Sequence, residues 1–115
     1  MKHDMPLDLL RANSAQMAGR LKILSHPERL LMLCRMADEE VTVGELVELT
    51  GLSQSAVSQH LAKFRDSGLV AVRREGQARH YLLADDDVRK IINALWEICQ
   101  ANEAAKADLT TTFAG

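Results

Sequence analysis

A chain of 115 residues has room for one domain, and a composition of 47% hydrophobic and 26% charged residues is that of a globular protein. The formal net charge of −2 has the wrong overall sign for a nucleic-acid binder. No apolar run approaches the roughly 18 residues of a membrane span, and the start has no apolar signal-peptide core, so a cytoplasmic protein without membrane contact is expected. Aromatic residues are scarce at 3%, which leaves the core to Leu, Val, Ile, Met and Ala. A subunit of this size is expected to bury its remaining apolar surface in a homodimer.

Residues 1–6, with His3 among them, read as frayed. Over residues 7–24 the spacing of Leu10, Met17, Leu21 and Leu24 predicts an amphipathic helix. Ser25-His26-Pro27-Glu28 then has the form of a capping box with Pro in the first turn, where no backbone donor is needed. The helix it opens, over 26–37, is expected to bury Leu30, Leu33, Cys34 and Ala37. Asp38-Glu39-Glu40 reads as an acidic loop with no role beyond solvation.

The next stretch organises the chain. Thr42-Val43-Gly44-Glu45 is a capping box for a short helix over 43–50. Gly51 can take the left-handed conformation that stops this helix, and Ser53 can cap a second one. In the second helix Ala56, Val57, Leu61 and Phe64 supply a buried stripe. Between them stand Ser53, Gln54, Ser55, Ser58, Gln59 and His60, which can hydrogen-bond to base edges or phosphates. Two helices meeting at a Gly-containing turn form a helix-turn-helix. Ala56 stands where a capping box would place Glu, so the positive end of the second helix is free of acids. The plainer alternative is a solvated helix face rich in Ser and Gln.

Ser67-Gly68 ends this helix, and two short strand-like runs follow, 69–74 and 79–83, joined across a turn that contains Gly76. Arg73, Arg74 and Arg79 flank the turn. A basic hairpin directly after a helix-turn-helix is the wing of a winged helix, placed to touch DNA backbone or minor groove. The alternative is an exposed hairpin whose charges blunt its edges. Charge distribution favours the wing. Residues 53–81 carry Lys63, Arg65, Arg73, Arg74 and Arg79 against two acids, while both flanking regions are net negative.

Asp85-Asp86-Asp87 opens a last helix, with acids at its positive end. Its stripe of Val88, Ile91, Ile92, Leu95, Ile98 and Cys99, with Trp96 beside it, predicts a dimer interface shared with the first helix. The expected fold is therefore mainly α with a small β-hairpin, a homodimeric winged helix-turn-helix of about five helices. Residues 1–102 form the single domain, and 103–115 a flexible C-terminal tail. His26 and His80 read as structural or solvated.

Two cysteines, Cys34 and Cys99, lie 65 positions apart, with no C-x-x-C pair, and in a reducing cytosol they rest as thiols. On residues alone each is a small buried hydrophobe or a reactive thiol. Arg35 adjoins Cys34 but is expected to point elsewhere on the helix. A dithiol redox enzyme is a further alternative, but neither cysteine has an activating base beside it in sequence.

The runs Leu24-Ser25-His26-Pro27-Glu28-Arg29-Leu30-Leu31-Met32-Leu33, Val43-Gly44-Glu45-Leu46, residues 52–61 and Gly68-Leu69-Val70 resemble the ArsR/SmtB family of bacterial repressors. The resemblance covers residues 21–99 and implies no enzyme. It implies a homodimer that binds a near-palindromic double-stranded operator and releases it when an inducer arrives. Family members that sense metals carry cysteines at or just before the first helix of the helix-turn-helix, and residues 41–46 have neither Cys nor His. Others use Asp and His on the last helix, where residues 85–99 hold no His. No metal site and no cofactor are therefore expected.

One cysteine on the second helix and one on the last resemble the thiol-based, persulfide-sensing branch of the SqrR/BigR type. The resemblance makes Cys34 and Cys99 the sensing pair, joined by a disulfide or polysulfide bridge under reactive sulfur species, whereupon the dimer leaves DNA. DNA contacts then fall to Ser53, Gln54, Ser55, Ser58, Gln59 and His60, with Lys63, Arg65, Arg73, Arg74 and Arg79 on phosphates. Response to another oxidant, or to no thiol signal at all, stays open at this point. So does repression against anti-silencing, because related toxin-gene activators use a similar cysteine pair.

Overall fold

In the computed structural model residues 6–114 are described, with side chains as far as residue 107; the expected frayed start lies outside them except for Pro6. The order is α1 (Leu7–Leu24), α2 (Pro27–Asp38), α3 (Val43–Thr50), α4 (Gln54–Asp66), β1 (Val70–Glu75), β2 (Ala78–Leu83) and α5 (Asp86–Ala114). This is five helices and one antiparallel hairpin, the winged helix-turn-helix expected from the residues.

Local chemistry sets most boundaries. Thr42 Oγ1 accepts from the Glu45 N–H at 3.2 Å, the N-cap half of a capping box, and the Thr42 hydroxyl donates to the Glu45 carboxylate at 3.3 Å in place of the backbone N–H. Gly51, at φ 74°, closes α3 in the left-handed region. Asp85 Oδ1 accepts from the Val88 N–H at 3.0 Å and so caps α5. The capping box expected at Ser25 does not form. Ser25 is the C-cap of α1, and its hydroxyl donates back to the Lys22 carbonyl at 2.7 Å. The connection is too short for that side chain to serve both helices, so His26 becomes the N-cap of α2 without a side-chain bond.

The core centres on α2, which packs against α1, α3, β2 and α5. Contact on several sides explains why Met32, Leu33 and Met36 are its fully buried residues, while Leu30, Cys34 and Ala37 remain half-buried. Leu46, Val57, Leu61, Phe64 and Leu69 complete the packing beneath the helix-turn-helix. In the hairpin Val72 pairs with Tyr81, and Tyr81 also exchanges backbone hydrogen bonds with Val41 at 2.9 and 2.7 Å. The wing is thereby fastened to the segment between α2 and α3. Gly76, the first of two loop residues, sits at φ 61°, the positive value a tight hairpin turn requires there.

Two arginines lock α5 to the rest. Arg89 donates from Nη1 to the Ala37 carbonyl and from Nη2 to the Leu83 carbonyl, both at 2.8 Å, joining α5 to the ends of α2 and β2. Arg20 of α1 meets Asp85 at 3.1 Å. The last helix continues to Ala114, through the stretch read from sequence as a tail. Residues 101–107 hold four alanines with Glu103 and Lys106, all good helix formers, and Lys106 meets Glu103 at 3.3 Å.

Candidate nucleic-acid interface and thiol groove

The positive end of α4 is open, as its sequence predicted: Ser53 Oγ accepts from the Ala56 N–H at 3.1 Å, and no acid occupies the first turn. Gln54, Ser55, Ser58 and Gln59 are exposed around it. Gln54, Ser58 and Arg65 repeat at helical spacing along the side of α4 that faces the wing. Together with Thr42, Gly44, Gln77 and Arg79 they line a groove of about 480 Å³. Gln77 at the wing tip was missed from sequence. Its signal was its place in the two-residue hairpin loop, the part of a wing that reaches furthest.

Two expected contacts have other partners. His60 is turned toward the protein, stacked on Phe64 at 6.4 Å between ring centres and 5.9 Å from the His26 ring. Burial, then Arg29, His26 and Lys63, lowers its pKa below the ordinary histidine value, so it is neutral at pH 7. Its place is set by α4 geometry: three positions after buried Val57 and four before buried Phe64, it lies on the inward side.

Arg73 is the second. Its Nη2 and Nε donate to Glu40 at 2.8 and 3.0 Å, and its Nη1 to Glu75 at 3.1 Å. These bonds hold Glu40 below the usual carboxylate range. Arg73 is therefore a strut between wing and body. The acidic loop, assigned only solvation from sequence, supplies that strut's anchor in Glu40 and a partner for Arg35 in Glu39 at 2.8 Å. Lys63, Arg65, Arg74 and Arg79 are exposed and stand in no ion pair among those of the described residues.

Elsewhere the fold brings Cys34 and Cys99 to one groove of about 490 Å³ between α2 and α5. Both are free thiols, Cys34 half-buried and Cys99 exposed. Burial pushes the Cys34 thiol up, and the proximity of Cys99 pushes it in the same direction. Leu30, Leu31, Leu49, Ile92, Leu95 and Trp96 make the walls. Arg35, expected to point away, lines the same groove, where Glu39 and Glu45 hold it at 2.8 and 3.5 Å. No three His, Cys, Asp or Glu among the described residues stand together as metal ligands would, and no described helix is long and apolar enough to cross a membrane.

Residues 26–72 match the bacterial regulatory protein, arsR family. The transcriptional activator HlyU of Vibrio cholerae is 43% identical over 100 residues, spanning 86% of this chain and 93% of its own. The crystal structure of the transcriptional repressor BigR from Xylella fastidiosa superposes with a TM-score of 0.75 at 35% identity, over 82% of this chain and 96% of that one. The homodimeric winged helix-turn-helix DNA-binding domain Mb0332 of Mycobacterium bovis gives a TM-score of 0.68 at 27% identity, over 87% and 93%. With its open α4 end, basic wing and matching motif, the chain belongs to the ArsR family and is a DNA-binding transcriptional regulator rather than an enzyme.

Proposed function

We propose that the protein is a homodimeric repressor that leaves its operator when reactive sulfur species join Cys34 to Cys99. The observation that carries this reading is that two thiols 65 positions apart in sequence line one groove, on the two helices that connect the reading half to the dimer half. Homodimerisation is supported by Leu7, Leu9, Leu10 and Leu21 of α1 and Ile98 of α5, which are 46–62% exposed in the single chain. A two-fold dimer presents two α4 helices to successive major grooves, hence a near-palindromic site.

In DNA binding Gln54, Ser55, Ser58 and Gln59 read base edges, Ser53 and the α4 N-terminus meet a phosphate, and Lys63, Arg65, Arg74 and Arg79 contact the backbone. Arg73 fixes the wing's position, and His60 supports α4 from behind.

The exposed Cys99 meets the donor first. Its thiolate attacks the terminal sulfur of a hydropersulfide R–S–SH, the donor S–S bond breaks, and RS⁻ leaves to take up a proton. Cys34 thiolate then attacks Sγ of the Cys99 persulfide, forming the Cys34–Cys99 bond and expelling HS⁻. Two thiols and one hydropersulfide thus give one disulfide, RSH and H₂S. One further sulfur transfer before closure leaves a longer bridge and releases one more RSH. Closure ties α2 to α5 and alters the spacing of the two α4 helices. Affinity for fixed half-sites falls because both must fit at once.

The test is fluorescence anisotropy of the reduced dimer on its own upstream DNA, before and after a polysulfide donor, with hydrogen peroxide, zinc and Cys99→Ser in parallel. Release by polysulfide alone, reversed by reductant and absent in the variant, is expected. Unchanged binding of wild type and variant under every addition makes the cysteines packing groups.

A further inference from the structure

The groove that holds the two thiols is larger and more apolar than closing a sulfur bridge requires. At about 490 Å³ it matches the size of pockets that take small organic molecules. Leu31, Leu49 and Trp96, exposed at 43%, 40% and 64%, converge on it from three different helices. Large apolar side chains left open around a pair of nucleophiles describe a binding site better than a packed core.

Charge narrows the occupant. Arg35 is the one cation among the lining residues: Glu39 holds its Nη2 at 2.8 Å, Glu45 stands at 3.5 Å from the same nitrogen, and its Nη1 is buried without a hydrogen-bond partner. Asp38, also in the lining, adds a negative charge. An anion entering this groove meets a single guanidinium whose charge Glu39 and Glu45 offset, with Asp38 beside it, whereas an uncharged apolar body displaces water from six apolar walls.

We propose that the groove binds the apolar body of an organic hydropersulfide, R–S–SH with R an alkyl or aryl group, and presents its terminal sulfur to Cys99. The proposal rests on the sulfur-sensing reading and specifies its donor. The balance of the reaction is unchanged, with the apolar thiol RSH leaving the groove as the bridge closes. Inorganic tetrasulfide and the hydropersulfide of glutathione react too, but without the benefit of binding.

The experiment uses the full-length reduced dimer and two readouts. Mass spectrometry follows Cys34–Cys99 bridging by benzyl hydropersulfide, glutathione hydropersulfide and sodium tetrasulfide, each rate being normalised to that donor's reaction with a free thiol. Trp96, the one tryptophan of the chain, reports binding of benzyl methyl sulfide, which cannot transfer sulfur. The expected result is bridging about tenfold faster with the benzyl donor, and a saturable Trp96 fluorescence change. In Leu31→Gln and Leu49→Gln the rate ratio falls toward one and the saturable change weakens. Equal normalised rates for all three donors, or a flat thioether titration, overturn the apolar-donor proposal while the sulfur-sensing reading stands. Absence of a bridge with every donor overturns both.

Discussion

The part of the molecule built from α3, α4 and the hairpin buries most of its large apolar residues within one chain, Leu49 at the thiol groove excepted. Leu46, Val57, Leu61, Phe64 and Leu69 are each no more than 1% exposed there. The outer helices do the opposite. Leu7, Leu9, Leu10 and Leu21 on α1 and Ile98 on α5 are 46–62% exposed, and in α1 only Leu24 is buried. The first region is a finished unit whose outward face is polar and basic. The second leaves apolar surface open, which is the face the proposed dimer would cover, and the thiol groove lies between α2 and α5. In the proposed mechanism a sulfur bridge in that groove acts on the geometry between reading units without disturbing either one.

Breaking the finished half has the largest expected effect. Phe64→Ala should cost about 3–5 kcal/mol of folding stability, read as a lower urea midpoint, because a fully buried ring leaves a cavity. Breaking the unfinished half should leave each subunit folded. Leu10→Glu with Leu21→Glu, both at exposed positions, should convert the dimer to monomer in sedimentation and lower operator affinity at least about 100-fold, since two linked half-site contacts become one. A dimer that survives this change assigns the interface elsewhere.

Smaller effects sharpen the reading face. Gln54→Ala should cost about 1–3 kcal/mol on the cognate operator and relax preference at one base pair. Lys63→Ala should weaken all sequences alike and reduce the slope of log affinity against log salt by about one. If both variants act identically on specific and random DNA, the α4 face makes backbone contacts only.

At the junction of the two regions Asp85 caps α5 and holds Arg20. Burial raises its pKa, but the Val88 N–H and Arg20 outweigh this, and the net value lies below the ordinary one. Its stabilisation is present above the ordinary carboxylate pKa and is lost as pH falls through the lowered folded value. Asp85→Asn should therefore cost about 1 kcal/mol at pH 7, and the difference from wild type should vanish in strong acid. His60 contributes the smallest effect, with the opposite dependence on charge. Its depressed pKa means that stability falls as pH drops below about 6.5, and His60→Phe should flatten that part of the pH profile.

Much of this architecture could be read before the fold was known. Thr42, Gly51, Ser53 and Asp85 act on backbone groups within three or four positions of themselves, so their chemistry is local and carries the element boundaries. Hydrophobic spacing likewise assigned α1 to residues 7–24 and left α1 and α5 as the candidates for a dimer face. The serine at position 25 shows the limit of local reading: its neighbourhood fits a capping box, and the tight turn from α1 to α2 gave its hydroxyl another acceptor.

What tertiary structure alone decided are the meetings of residues distant along the chain. Glu40 and Arg73, 33 positions apart, neutralise a wing charge that sequence assigns to phosphate. Arg89 reaches back 52 positions to the end of α2. Cys34 and Cys99 face one groove only because α5 packs along α2. Periodicity specifies which side of a helix is apolar, and caps specify where it ends. The neighbour that covers each side depends on how all the helices share a single core, and that is a property of the whole chain.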